Sequence, residues 1–128
     1  MPDSEADMLA YLQLAALSTE KQQTLGRDRF LILAGAAACH AGYLGIANRC
    51  REIVLVTNPR HLIRQYASFA AALRSPDFEP LLMQLSRLCP PEQAEHLLQS
   101  QQPESACTEF SSVEERANSL LRRIADGD

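Results

Sequence analysis

At 128 residues, 46% hydrophobic and 22% charged, the chain has the make-up of one soluble globular domain that buries a core without needing disulfides or metals. Aromatic residues are 5%, Trp is absent, and Ala and Leu dominate, so an all-α fold is expected. A net charge of −4 and few stacking aromatics exclude an ordinary nucleic-acid binder.

The charge is not evenly spread. Residues 1–26 sum to −3, residues 27–74 to +5 and residues 75–128 to −6. A basic middle between acidic ends can pair within the fold, pair between chains or steer an anionic partner. The N-terminus begins acidic and lacks the basic and apolar regions of a secretory signal, so a cytoplasmic location is expected. The apolar window from Phe30 to Ala47 contains His40 and a break at Gly42, which predicts two buried helix pieces rather than a membrane span. Cys39, Cys50, Cys89 and Cys107 form no C-x-x-C pair and read as reduced core thiols.

In chain order, Ser4 and Asp7 resemble a capping box for a first helix with Met8, Leu12, Ala15 and Ala16 on its apolar face, ending near Gln23. Gly26 and Asp28 then separate it from a second helix capped by Asp28, apolar on nearly every side from Phe30 to Cys39 and ended by Gly42. The stretch "YLGIANRCREIVLV" predicts a third helix. Its β-branched "IVLV" has no second strand to pair with, so helix is favoured over strand. Asn58 and Pro59 predict the cap and first turn of a fourth helix with Leu62, Ile63, Tyr66, Phe69, Ala70 and Leu73 inward. Ser75 and Pro76 repeat the device for a fifth, with Phe78, Leu81, Leu82, Leu85 and Leu88 inward. Pro90 and Pro91 open a short sixth helix bearing Ala94, Leu97 and Leu98, residues 100–112 read as a linker, and Ser112 with Glu115 caps a last amphipathic helix over 113–126. The expectation is one domain of six or seven helices. A capping helix (1–26), a hairpin core (28–99), a linker (100–112) and a terminal helix (113–126) make antiparallel pairs stacked as a solenoid or a bundle.

Gly35, Gly42, Ala47 and Pro59 fall at the spacing G-x6-G-x4-A-x11-P, which fits close approach in a first helix, a turn, contact from a second helix and the start of the next unit. Residues 28–61 in this respect resemble a tetratricopeptide repeat, and 60–90 are similar to the family in architecture only. Ala34, Ala38, Arg51 and Val54 depart from the family pattern. The resemblance implies a non-catalytic protein-binding module whose concave groove holds a peptide. Carried over, the groove is Arg29, Ile32, Ala36, Cys39 and His40, followed by Ile63, Tyr66, Ala70, Leu73 and Arg74. Ile32 and Ala36 stand where chaperone-binding members grip a terminal carboxylate, so an amphipathic helix or an extended apolar peptide suits the groove better than an acidic tail, and the chain's own terminal helix suits it equally well.

Sharper chemistry lacks support. Cys39 and His40 are adjacent on a helix and point about 100° apart, with no third group to orient a base. His40, His61, Cys89 and His96 have no metal-ligand spacing. No phosphate-cradling loop, nucleophile elbow or zinc-protease helix occurs, so neither an enzyme nor a bound cofactor is expected. Two alternatives stand beside the groove: a small or anionic ligand at Arg49, Arg60 and Arg64, or a structural homodimer sealed by the 113–126 helix.

Overall fold

The computed structural model describes residues 4–88 and 113–126. These form six α-helices and no strand: α1 (Ser4–Glu20), α2 (Thr24–Ala41), α3 (Leu44–Thr57), α4 (Phe69–Arg74), α5 (Glu79–Leu88) and α6 (Val113–Asp126). A 3-10 turn over Leu62–Gln65 lies between α3 and α4. The all-α expectation holds, and "IVLV" is helical. The expected sixth helix, the 100–112 linker and Ser112 lie outside the described residues.

Two tight turns fold α1, α2 and α3 antiparallel. The first turn closes when Gln23 N–H donates to Ser18 O (2.8 Å) and Gln22 N–H to Thr19 O (3.0 Å), with Gln22 at φ 60. The second repeats the geometry, Tyr43 N–H donating to Ala38 O (2.8 Å) and Gly42 N–H to Cys39 O (3.1 Å). There the left-handed residue is Gly42 at φ 92, the turn glycine the spacing pointed to. Tyr43 also donates its hydroxyl to Glu5 Oε2 (2.8 Å), tying the start of α1 to the α2–α3 turn.

α2 is the centre of the molecule. Every residue from Leu31 to Ala38 is buried, as its all-round apolar sequence requires. α1 and α3 flank it, α4 and α5 lie against it, and α6 packs on α1 and α3, so α1, α2, α3 and α6 close into a ring. α6 runs parallel to α1, because Arg123 near its end reaches Glu20 at the end of α1 (2.8 Å). The apolar face of α6, Ala117, Leu120, Leu121 and Ile124, is buried within this ring. The bundle form of the expectation is therefore the one adopted.

Four local readings are corrected. α2 begins at Thr24, four residues before Asp28, and Gly26 lies inside it; Asp28 is no cap, because its carboxylate is buried beside Arg27. The fourth helix is broken. Asn58 and Pro59 form a turn closed by His61 N–H to Asn58 O (3.0 Å), and the chain then runs back along α3. Arg51 Nη2 donates to Tyr66 O (2.7 Å) and Asn48 Oδ1 accepts Phe69 N–H (3.1 Å), so α3 takes the backbone groups a continuous helix would have used. Ser68 Oγ then accepts Ala71 N–H (3.2 Å) and caps α4. The fifth helix likewise starts at Glu79, after a turn at Ser75–Phe78. Finally, Gly35 admits a side chain rather than a partner backbone: a Cβ there would overlap Phe69 Cε2 and lie 2.6 Å from Cζ.

Candidate functional site

The ten groove positions do not share one accessible surface. Ile32, Ala36 and Ile63 are core residues, Cys39, Tyr66, Ala70 and Leu73 are half-buried, and Arg29, His40 and Arg74 are exposed. Tyr66 packs edge-on against Phe78, ring centroids 5.8 Å apart, and its hydroxyl lies 3.3 Å from Ser75 Oγ. It is part of what holds α5, so Tyr66→Glu would disturb the core instead of emptying a groove.

Arg49, Arg60 and Arg64 are all exposed. Arg49 stands eight residues before the end of α3, about 12 Å of helix rise, whereas Arg60 follows that end. None of the three lines the clefts at α1–α6 or along α5. Among the described residues no three His, Cys, Asp or Glu side chains gather closely enough to hold a metal ion. Burial pushes the Cys39 thiol up to about 11 and Cys50 to about 12, so both keep their protons at neutral pH and are poor nucleophiles.

A buried ionic cluster at the start of α2 was missed by sequence reasoning. Arg27 is 1% exposed and Asp28 6%. Arg27 Nη2 donates to Asp28 Oδ1 (3.1 Å) and to Thr57 Oγ1 (2.6 Å), and Thr57 Oγ1 lies 3.5 Å from Asp28 Oδ2. The cluster staples the start of α2 to the end of α3. Burial raises the Asp28 carboxyl above its ordinary range, with Arg27 pulling the other way. Nearby His61 accepts Ile63 N–H at Nδ1 (3.1 Å), capping the 3-10 turn, and burial lowers its pKa. These contacts join α2 to the end of α3 and cap the turn that follows it, which is a structural role.

Among the described residues, two surfaces stand open. A cleft of about 730 Å³ between α1 and α6 is lined by Thr19, Glu20, Ser119, Arg122 and Arg123, and is bridged by the exposed Arg123–Glu20 pair. The other is the outer side of α5. α5 is anchored by Phe78, fully buried and edge-on to Phe69 (6.1 Å), and by Leu85. Met83, two residues from Leu85 and so about 200° around the helix, faces away at 48% exposure. Pro76, Glu79, Pro80, Met83 and Arg87 line one shallow cleft of about 430 Å³, and a second of about 510 Å³ adjoins it through Leu82 and Ser86. Leu88, expected to face inward, is 56% exposed, but it lies about 140° around the helix from Met83 and lines neither cleft. Only the amphipathic count would have found this strip: α5 has more apolar residues than one stripe can bury.

Among the described residues no helix is long and apolar enough to cross a membrane. No protein-family model, curated protein or solved structure matches this chain.

Proposed function

We propose that the chain is a non-catalytic helical module that binds another protein, and that its recognition surface is the outer face of α5, fitted to an amphipathic helix. The observation that carries this reading is the outward Met83, which lines one cleft with Pro76 and Pro80 between the charges of Glu79 and Arg87. An apolar strip about two and a half turns long with charge at its edges suits helix anchors at i, i+3 and i+4. Methionine adapts its shape to such anchors better than a branched side chain. The α2–α3 hairpin with its Gly42 turn supports kinship with helical-hairpin repeats, with the binding face displaced from α2, which is enclosed, to α5. A cytoplasmic setting belongs to this reading, since Cys39 and Cys50 are free thiols.

The test is affinity capture from a source-cell lysate with wild type and Met83→Glu, each checked for helicity and melting temperature. A helical partner held by wild type and lost from the folded variant is the expected result. Retention of the same proteins in the same amounts by Met83→Glu refutes the α5 surface.

A further inference from the structure

We infer that the helix received by α5 is α5 of a second copy of this chain, laid antiparallel across a two-fold axis through Met83; this rests on the outer face of α5 being the recognition surface. The argument begins with spacing. Glu79, Met83 and Arg87 are four residues apart, so they share one face, with Met83 midway and each charge about 6 Å of rise from it. Glu79 lies in the first turn and Arg87 in the last.

An antiparallel partner helix centred on Met83 reverses that order. Glu79 of each copy then faces Arg87 of the other, twice over, while the two Met83 side chains meet on the axis. This is the self-complementarity that an isologous interface demands, in which one patch meets itself. A parallel arrangement would set Glu79 against Glu79 and Arg87 against Arg87. Neither Glu79 nor Arg87 forms an ion pair with another described residue, so both heads are available. Leu25, Leu44 and Val56 are also exposed, but each stands singly near a helix end; Val56 has Glu52 four residues before it and Arg60 four after, yet α3 ends at Thr57, so Arg60 does not share its helix face.

The strip is short. Stable dimers bury about 800 Å² on each partner, more than the outer side of a ten-residue helix offers. Association is accordingly weak, a monomer–dimer equilibrium visible in the micromolar to submillimolar range and weakened by salt.

The experiment is sedimentation of the full chain over that concentration range, for wild type, Glu79→Arg, Arg87→Glu, the Glu79→Arg/Arg87→Glu double swap and Met83→Glu. These positions are exposed, and thermal melts confirm that each variant folds. The mass of wild type should rise from 14.2 kDa toward twice that value. Each single charge reversal should raise the dissociation constant at least tenfold and the double swap should return it to near wild type. Met83→Glu, which sets two carboxylates on the axis, should stay monomeric. A wild type that is monomeric throughout overturns the inference, as do single reversals and a double swap that all associate alike. If wild type is monomeric yet Met83→Glu still loses its captured partner, only the second copy is refuted and the α5 surface stands. If Met83→Glu changes neither readout, both fall.

Discussion

Replacing Gly35 by Ala isolates one packing contact at the centre of the fold. The added Cβ collides with the Phe69 ring, 2.6 Å from Cζ and 2.8 Å from Cδ2. Phe69 is fully buried and held edge-on by Phe78, so the ring has no free space to swing into. Overpacking of this kind costs about 2–3 kcal/mol, offset by about 0.5–1 kcal/mol because Ala is the better residue inside a helix. The net loss is about 1–2 kcal/mol. With an unfolding entropy of about 2.1 cal/mol/K per residue over 128 residues, the melting temperature falls by about 4–7 °C. Gly26→Ala is the control: it lies in the same helix, its Cβ meets only Ser18 Oγ at an ordinary 3.6 Å, and it should raise the melting temperature by about 2–4 °C. Thermal melts followed by circular dichroism read both. In a Phe69→Leu background the Gly35→Ala penalty should shrink by about 1 kcal/mol or more. A Gly35→Ala protein that melts at or above wild type would show that the ring contact does not constrain the fold.

Gln22 occupies the left-handed position that usually belongs to glycine, so Gln22→Gly should stabilise by about 0.5–1 kcal/mol, and a melt at or below wild type would contradict the strain argument. Asp28→Ala leaves Arg27 buried without its counter-charge and should cost about 3–5 kcal/mol in urea unfolding, while Arg27→Met/Asp28→Leu should cost much less. A single-variant loss below about 1 kcal/mol would refute that. His61 is lowered from 6.5 in the folded chain, so its stabilising contribution is complete above that value and is lost as pH falls from there through the folded-state value. His61→Asn keeps an acceptor for Ile63 N–H but does not titrate. Wild type should therefore lose melting temperature relative to this variant on acidification from about pH 7 to about pH 5, and parallel pH profiles would refute the coupling.

Much of the fold was legible because its signals are local. The all-round apolar run of α2, the Gly42 turn and the amphipathic stripe of 113–126 each depend on residues within a few positions of one another. The errors share a different origin. Asp28 before an apolar run has the form of a cap, and only Thr57, 29 residues away, shows that it belongs to a buried ion pair. The continuous stripe from Leu62 to Leu73 suggests one helix, yet Arg51 and Asn48 draw the Tyr66–Phe69 backbone out of it. Gln22 gives no sequence sign of its left-handed conformation. The α5 surface was half legible. Its apolar residues can be counted, but the sequence does not say how little of the helix the body covers, so Leu88 reads as inward although it is 56% exposed.

The parallel seating of α6 beside α1 has a consequence for how the chain is made. α1, α2 and α3 are joined by turns of two or three residues and can zip up as soon as they are synthesised. The strip on α1 and α3 that receives Leu121 and Ile124 waits for a segment about a hundred residues downstream of α1, and closing so long a loop is slow compared with forming the hairpins. Until α6 is made, the nascent chain therefore presents an open apolar seam that α6 covers in the folded protein. That interval is when a chaperone, or a second nascent chain, would find it.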